Sequence, residues 1–422
     1  MDNKQLTNSK FGKWGWSMII YTMLLYYFWA GMSVDGLNVY TNAFGGTYGM
    51  DPNVLLGFAT PAGIIGIVGG ILFGRLVIKT GVRKLCSWAL IGVGVLFALF
   101  GFAKTPVLYL IALSAITFVA QAFGLIATAT LMGNWFPNKK GIALGWATMG
   151  APLCTATFVA ILSGLYGKFG VGIGHTIIGV VVVILGVISF WWIKDYPEEV
   201  GAYPDNIPTD PEVLKAQLGE VKSYKSPFTV KTLLKDKDMW LIALGFGMLW
   251  MVTVGIVSQF VPRMMSVGYD NATALMMLTI AAVVGLVGSY FWGWLDQKVG
   301  TKPASVVYGI SYVLALIMLI FAKVEILTYI AIALVGFGVG GLLNLMASMV
   351  IAVYGRWDFM AANSLISPIA SLVQKAAFVI MAIALAASGG DYTIPYLIFV
   401  VIDIIGIVLL LCVTNKCKGK QV

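Results

Sequence analysis

"GRLVIKTGVRK" occupies residues 74–84, and "GWLDQKVGTKP" occupies residues 293–303. Gly, Leu, Lys and Gly recur in register at 74/293, 76/295, 79/298 and 81/300. Each copy closes an apolar run and is followed by another. Two short matches between glycine-rich stretches arise easily by chance. Their equal placement, after the second run of each half of the chain, points instead to duplication. Repeated halves around a central site are a transporter architecture.

The apolar runs continue along the whole chain. We count twelve, near 15–40, 54–74, 85–103, 107–132, 141–166, 173–194, 239–261, 272–294, 304–322, 326–352, 361–388 and 393–414. Runs of about 20 residues are long enough to cross a bilayer as helices. Composition agrees: 59% of 422 residues are hydrophobic and only 11% are charged, more apolar surface than a soluble chain of this length can hide. The longest polar interruption holds "DYPEEVGAYPDN" and "KSPFTVKTLLKDKD". The expected fold is an all-α membrane protein of twelve transmembrane helices in two six-helix halves. The first bundle covers 1–194, a cytoplasmic central loop 195–237, and the second bundle 238–422. The first run follows Lys4, Lys10 and Lys13 and is too long for a signal peptide, so it reads as the first span.

Lysine and arginine set the orientation. With both termini cytoplasmic, the inner segments hold 22 of the 27 basic residues, and the outer loops hold Lys104, Lys168, Arg263 and Lys323. Lys375 is the one left over. The net charge of +9 therefore reads as topology in an inner, cytoplasmic membrane, with lipids and not nucleic acid as its partner. Cys86, Cys154, Cys412 and Cys417 form no CxxC or Cys/His pattern, so no metal or other cofactor is expected. The one histidine, His175, stands at the outer start of span six and reads as interfacial. No catalytic constellation emerges, so an enzyme is not expected. "GFGVGG", 336–341, lies inside an apolar span and reads as a site of close helix contact, not a phosphate loop. "YDNATA" carries an Asn-x-Thr glycosylation pattern at Asn271.

The loop after span two resembles the signature of the major facilitator superfamily, Gly-x-Leu-x-Asp-Arg-x-Gly-Arg-Arg-Lys. Gly74, Leu76, Lys79, Gly81, Arg83 and Lys84 fit it, with Ile78 at the aspartate position. The second copy keeps Gly293 and Gly300, with Gln297 at that position and Asp296 one residue earlier. "NWFPNKKGIALGWATMGAP", 134–152, resembles a segment of the oxalate/formate antiporter and monocarboxylate porter families, and "PEEVGAYPDN", 197–206, is similar to the stretch that follows span six there. The resemblance implies alternating access, with the motif residues controlling conformation. It also implies a lysine in span eleven facing an anionic substrate. Those families often carry an arginine in span eight, where this chain has Ser289 and Tyr290. One cation suits a monocarboxylate better than a dicarboxylate.

Ionisable residues deep in lipid are functional candidates by default. Lys375 lies at the middle of span eleven, Asp403 at the middle of span twelve, and Asp35 in the outer part of span one. Lys375 can attract a substrate carboxylate or pair permanently with Asp403. Asp35 and Asp403 are candidates for proton coupling, and Asp35 with nearby Asn38 for binding. Tyr26, Trp29, Gln121, Thr148 and Asn344 can line a pocket, with ordinary helix packing or an interface belt as the alternative for each of them. The expected activity is secondary transport of a small organic anion, a monocarboxylate, by a monomer, with proton symport open as a mode. Zwitterion transport, anion exchange and a membrane sensor on the same fold are the alternatives.

Overall fold

The computed structural model describes residues 8–208, 210, 212, 220, 224–321 and 324–420, without the side chains of Asn38, Asn53 and Asn271. Lys4, Lys215, Lys222 and Lys323 lie outside the described residues, as does the Asn271 side chain of the glycosylation pattern. The regular secondary structure among the described residues is helical, with no strand.

In the first part of the chain, α1 (Gly12–Ala30) passes through a π-helical turn, Gly31–Asp35, into α2 (Leu37–Tyr48). The short α3 (Pro52–Gly57) leads to α4 (Ala59–Thr80) and α5 (Val82–Phe100). Then α6 (Pro106–Gln121) passes through a second π segment, Ala122–Ala127, into α7 (Thr128–Trp135). Next come α8 (Lys140–Thr148) and α9 (Gly150–Trp192). The remainder holds α10 (Val230–Leu234), α11 (Lys237–Ser258), α12 (Phe260–Val267), α13 (Asn271–Val299), α14 (Thr301–Ile320), α15 (Glu325–Val339), α16 (Leu342–Ala387) and α17 (Thr393–Leu411).

Local chemistry starts several of these helices. Thr105 caps α6 by accepting the Leu108 N–H, and Pro106 stands at the first position, where no donor is needed. Asp236 and Asp270 cap α11 and α13 in the same way. Between their ends the helices are apolar on every side, which suits neighbours on one face and hydrocarbon on the other. α17 buries Phe399, Asp403, Gly406 and Leu410 while exposing Val401, Ile404 and Val408.

Ten helices among the described residues are long and apolar enough to cross a membrane, against twelve runs expected. Two of the ten hold a break. α9 has 43 residues and α16 has 46, whereas a crossing needs about 20. Gly170 (φ 79°) interrupts α9 and Gly355 (φ 72°) interrupts α16. A left-handed glycine turns the chain without a loop, so helical residues flank it directly.

The chain forms two compact units. One comprises Lys10–Phe136 and Leu153–Lys225; the other comprises Pro137–Pro152 and Ser226–Val422 with the beginning of the chain. In the first unit, Tyr40, Phe44, Phe97 and Phe100 enclose His175, which is fully buried. Its Nδ1 lies 3.0 Å from the Val171 carbonyl. His175 is thus a core residue and not the interfacial one expected, because this aromatic cage closes over it.

In the same unit, Gly81 (φ 78°) makes the turn between α4 and α5. Asp195 Oδ1 accepts the Arg83 N–H at 2.7 Å, placing a carboxylate against the start of α5, where the helix dipole favours negative charge. Burial raises the Asp195 carboxyl above its usual range, against the pull of the Arg83 N–H and guanidinium. Asp195 thereby brings to this loop the acid that Ile78 lacks.

In the second unit the C-terminal tail is pinned. The Thr414 N–H donates to Asp238 at 2.8 Å, Lys418 Nζ reaches Asp236 at 2.6 Å, and the Lys420 N–H donates to Asp358 at 3.0 Å. A Cβ at Gly355 would lie 2.5 Å from the Lys420 carbonyl oxygen. Gly355→Ala should therefore destabilise the protein by about 1–2 kcal/mol or more through the left-handed backbone alone. Gly164→Ala, where no atom lies within 4 Å of an added Cβ, should be neutral or stabilising by up to about 1 kcal/mol. Thermal unfolding in detergent compares the two, and equal shifts would contradict the break assigned to Gly355.

Candidate functional site

π-Helical turns insert a residue into a helix and often mark functional positions. Among the described residues the first unit has two. The Tyr40 hydroxyl donates to the Gly31 carbonyl at 3.2 Å and lies 3.4 Å from that of Met32, serving acceptors in the first π turn. Asp35 ends that turn, partly exposed, and accepts a 2.8 Å hydrogen bond from the Thr155 hydroxyl.

Trp29 lies against the second π segment. A Cβ at Gly124 would fall 2.1 Å from the indole, so only glycine admits the ring there. The Trp29 Nε1–H is buried and has no acceptor among the described residues. Tyr26 is buried on the same helix, with its hydroxyl on Thr128. Gln121 directly precedes the second π segment, and its amide makes only a 3.4 Å bond to the Thr117 carbonyl. Tyr26, Trp29 and Gln121 are therefore gathered where α1 meets the π segment, with an indole donor unused. Asn38 belongs to α2, but its side chain is outside the described residues.

The second unit carries a helix seam built from small residues. Segment 137–152 runs along one face of α13. Gly285, Ser289, Gly293 and Gln297 follow each other at intervals of four, one face of a helix. An added Cβ at Gly285 would meet Pro152 at 3.2 Å, and one at Gly145 would meet the Ser289 carbonyl at 3.0 Å. One at Gly293 would lie 2.2 Å from the Gly141 carbonyl oxygen. Gln297 closes the series: its Oε1 accepts the Gly141 N–H at 3.3 Å, and its Nε2 donates to the Asn138 carbonyl at 2.7 Å. The amide at the motif's acid position thus binds the first turn of α8.

Charge reinforces the seam. Lys140 Nζ donates to the Ser348 carbonyl at 2.9 Å, and the Ser348 hydroxyl donates to Asp296 at 2.5 Å. Thr301 adds a hydroxyl 3.3 Å from that of Ser348. Asp296 is buried and its charge faces Lys140. The second motif copy therefore works through Gly293, Asp296 and Gln297, and Gly300 (φ 93°) makes its turn. Thr148 and Asn344, expected in a pocket, are both buried at this seam. The Thr148 hydroxyl returns to the Leu144 carbonyl at 2.8 Å.

Lys375 stands apart on α16. It is part-buried and has no hydrogen-bond or ion-pair partner among the described residues. Asp403 is fully buried, and neither of its oxygens has a hydrogen-bond partner among the described residues. The structure does not pair the two. On α17, Phe399 packs on Gly255, Gly406 on Gly245, and Ile407 on Gly309, so Asp403 points into the α11/α14 seam.

Sequence reasoning missed Asp195, Ser348 and the Lys140–Asp296 connection. The displaced acid at 296 was visible, but its partner lies 156 positions away in the chain. Nothing in the sequence marks either π turn.

These features define a polytopic helical membrane protein with a transporter fold, and comparison with known proteins gives its family. A model of the Major Facilitator Superfamily matches residues 23–324. The chain belongs to that superfamily. It is 24% identical over 235 residues to the oxalate:formate antiporter of Oxalobacter formigenes, a match covering 56% of this chain and 52% of that one. It is 30% identical over 125 residues to the glucose-6-phosphate exchanger SLC37A2 of Xenopus laevis, covering 29% of this chain and 24% of that one. The chain thus spans about half or less of these relatives' lengths. The solved structure of the proton:xylose symporter XylE matches with a TM-score of 0.76 at 12% identity, covering 96% of this chain and 98% of that one. The human organic anion transporter MFSD10 matches at 0.66 and 12% identity, covering 97% and 100%.

The seam has a measurable signature. Lys140→Met strands a buried carboxylate and should cost about 3–5 kcal/mol. Adding Asp296→Asn should recover most of that loss. Chemical unfolding in detergent tests this, and additive losses in the double variant would contradict the coupling.

Proposed function

We propose that this protein is a secondary transporter of a small monocarboxylate, working by alternating access with twelve membrane crossings. The observation that carries the substrate class is Lys375. Lys140 is engaged at the seam, and Arg263 caps the end of α14 by donating to the Leu319 carbonyl at 2.7 Å. Lys375 is left as a cation at mid-span without a partner among the described residues. An unpaired ammonium in that setting is costly and gains most from a passing anion. One positive charge balances one carboxylate, whereas a phosphate dianion would leave excess negative charge in a low-dielectric site. The breaks at Gly170 and Gly355 support twelve crossings. The basic-residue pattern supports both termini on the inner side of the cytoplasmic membrane.

Asp35 supports proton symport. It ends a π turn and holds Thr155, and protonation would remove its repulsion toward an anion. A second reading is anion exchange with no proton, favoured by relatives named as an antiporter and as exchangers. Sugar phosphates enter through the same relatives, and a sensor role through the similar protein named UhpC.

Proteoliposome flux separates these readings. Formate, acetate and lactate should be carried by the wild type, with uptake falling at least about tenfold in Lys375→Ala and partly restored in Lys375→Arg. A tenfold loss corresponds to about 1.4 kcal/mol of lost interaction. Hexose phosphate flux that survives Lys375→Ala would overturn the assignment. Asp35→Asn should abolish proton-driven accumulation while sparing exchange, and full accumulation by that variant would exclude the coupling role.

A further inference from the structure

Asn344 is an oddity of the seam. It is fully buried, yet neither its Nδ2 nor its Oδ1 has a hydrogen-bond partner among the described residues. It sits one helical turn before Ser348, which anchors Lys140 and Asp296. The Gly293 position shows what covers it. A Cβ there would lie 2.8 Å from Asn344 Nδ2, 2.8 Å from Gly145 Cα and 2.2 Å from the Gly141 oxygen. Residues 141–145 therefore pack over the amide, and glycines bring them that close.

A buried amide with no partner forfeits the hydrogen bonds it makes in water. An apolar residue of the same size would pack at this crossing without that penalty. We propose that Asn344 is a positioning residue for gating, whose unsatisfied amide opposes closure of the seam between segment 137–152 and α13. When the segment lifts away, water or a passing polar group reaches both amide atoms. Lys140, Asp296, Ser348 and Gln297 hold the seam shut, and Asn344 lowers the cost of opening it. A seam with only the closing interactions would stay closed, and a gate that must open and close repeatedly needs both.

The inference rests on the alternating-access reading, so the test separates the two. Thr148 lies on the seam face of α8 and is 1% exposed. A single cysteine placed there, with the four native cysteines replaced by alanine, reports opening by its rate of maleimide labelling. Without ligand, Asn344→Leu should slow labelling about tenfold, the worth of one to two buried unsatisfied groups, and raise the unfolding temperature. Asn344→Ala, which removes the amide and leaves space, should also slow labelling. Unchanged or faster labelling in both variants would overturn the proposal. So would a loss of formate affinity with labelling unchanged, which would make the amide a substrate ligand. Alternating access is tested in the same preparation by adding formate to the Thr148→Cys protein that retains Asn344. A labelling rate that ignores formate counts against that reading alone, since the Asn344 effect is measured without ligand.

Discussion

A charge in hydrocarbon costs at least a few kcal/mol, and that constraint orders this molecule. The chain keeps its charges at loops and ends, then handles each remaining one differently. Asp296 meets Lys140 through the Ser348 turn. Asp35 takes a threonine hydroxyl within a π turn. Asp403 is sealed between helices. Lys375 is held part-buried, with no partner among the described residues. A residue maintained at that cost is where a mobile partner has most to contribute.

Backbone geometry serves the same logic. In lipid every peptide group needs an internal partner, so chain reversals and irregularities must stay close to helical. Glycines at 170 and 355 turn the chain with helix on both sides. The π turns at Gly31–Asp35 and Ala122–Ala127 widen a helix without cutting it, and the Tyr40 hydroxyl serves carbonyls in the first of them. Close helix approach follows wherever glycine removes the side chain, as at Gly124 under Trp29 and Gly293 under Gly141.

Much of the fold was legible because hydrophobic runs and basic loops report directly on the bilayer. The repeated Gly-x-Leu-x-x-Lys-x-Gly loops located both turns, at Gly81 and Gly300. The departures from the motif were visible too, but their resolution was not. Asp195 supplies the acid that Ile78 lacks, and Gln297 binds α8 in place of an aspartate. Both depend on packing between distant segments. His175 was misread because an outer-end position says nothing about the aromatic rings that close over it. The burial of Asn344 and Thr148 at a helix seam was not legible, because a polar group in an apolar helix has the same appearance whether it faces a cavity or a seam.

The central claim is that Lys375 attracts the carboxylate of a small acid. Thermal-shift binding of formate, acetate and lactate to purified wild type and Lys375→Ala tests it most directly. At least one of these acids should stabilise the wild type and leave Lys375→Ala unmoved, with both proteins unfolding at similar temperatures when no ligand is present. Equal stabilisation of both proteins would contradict the claim.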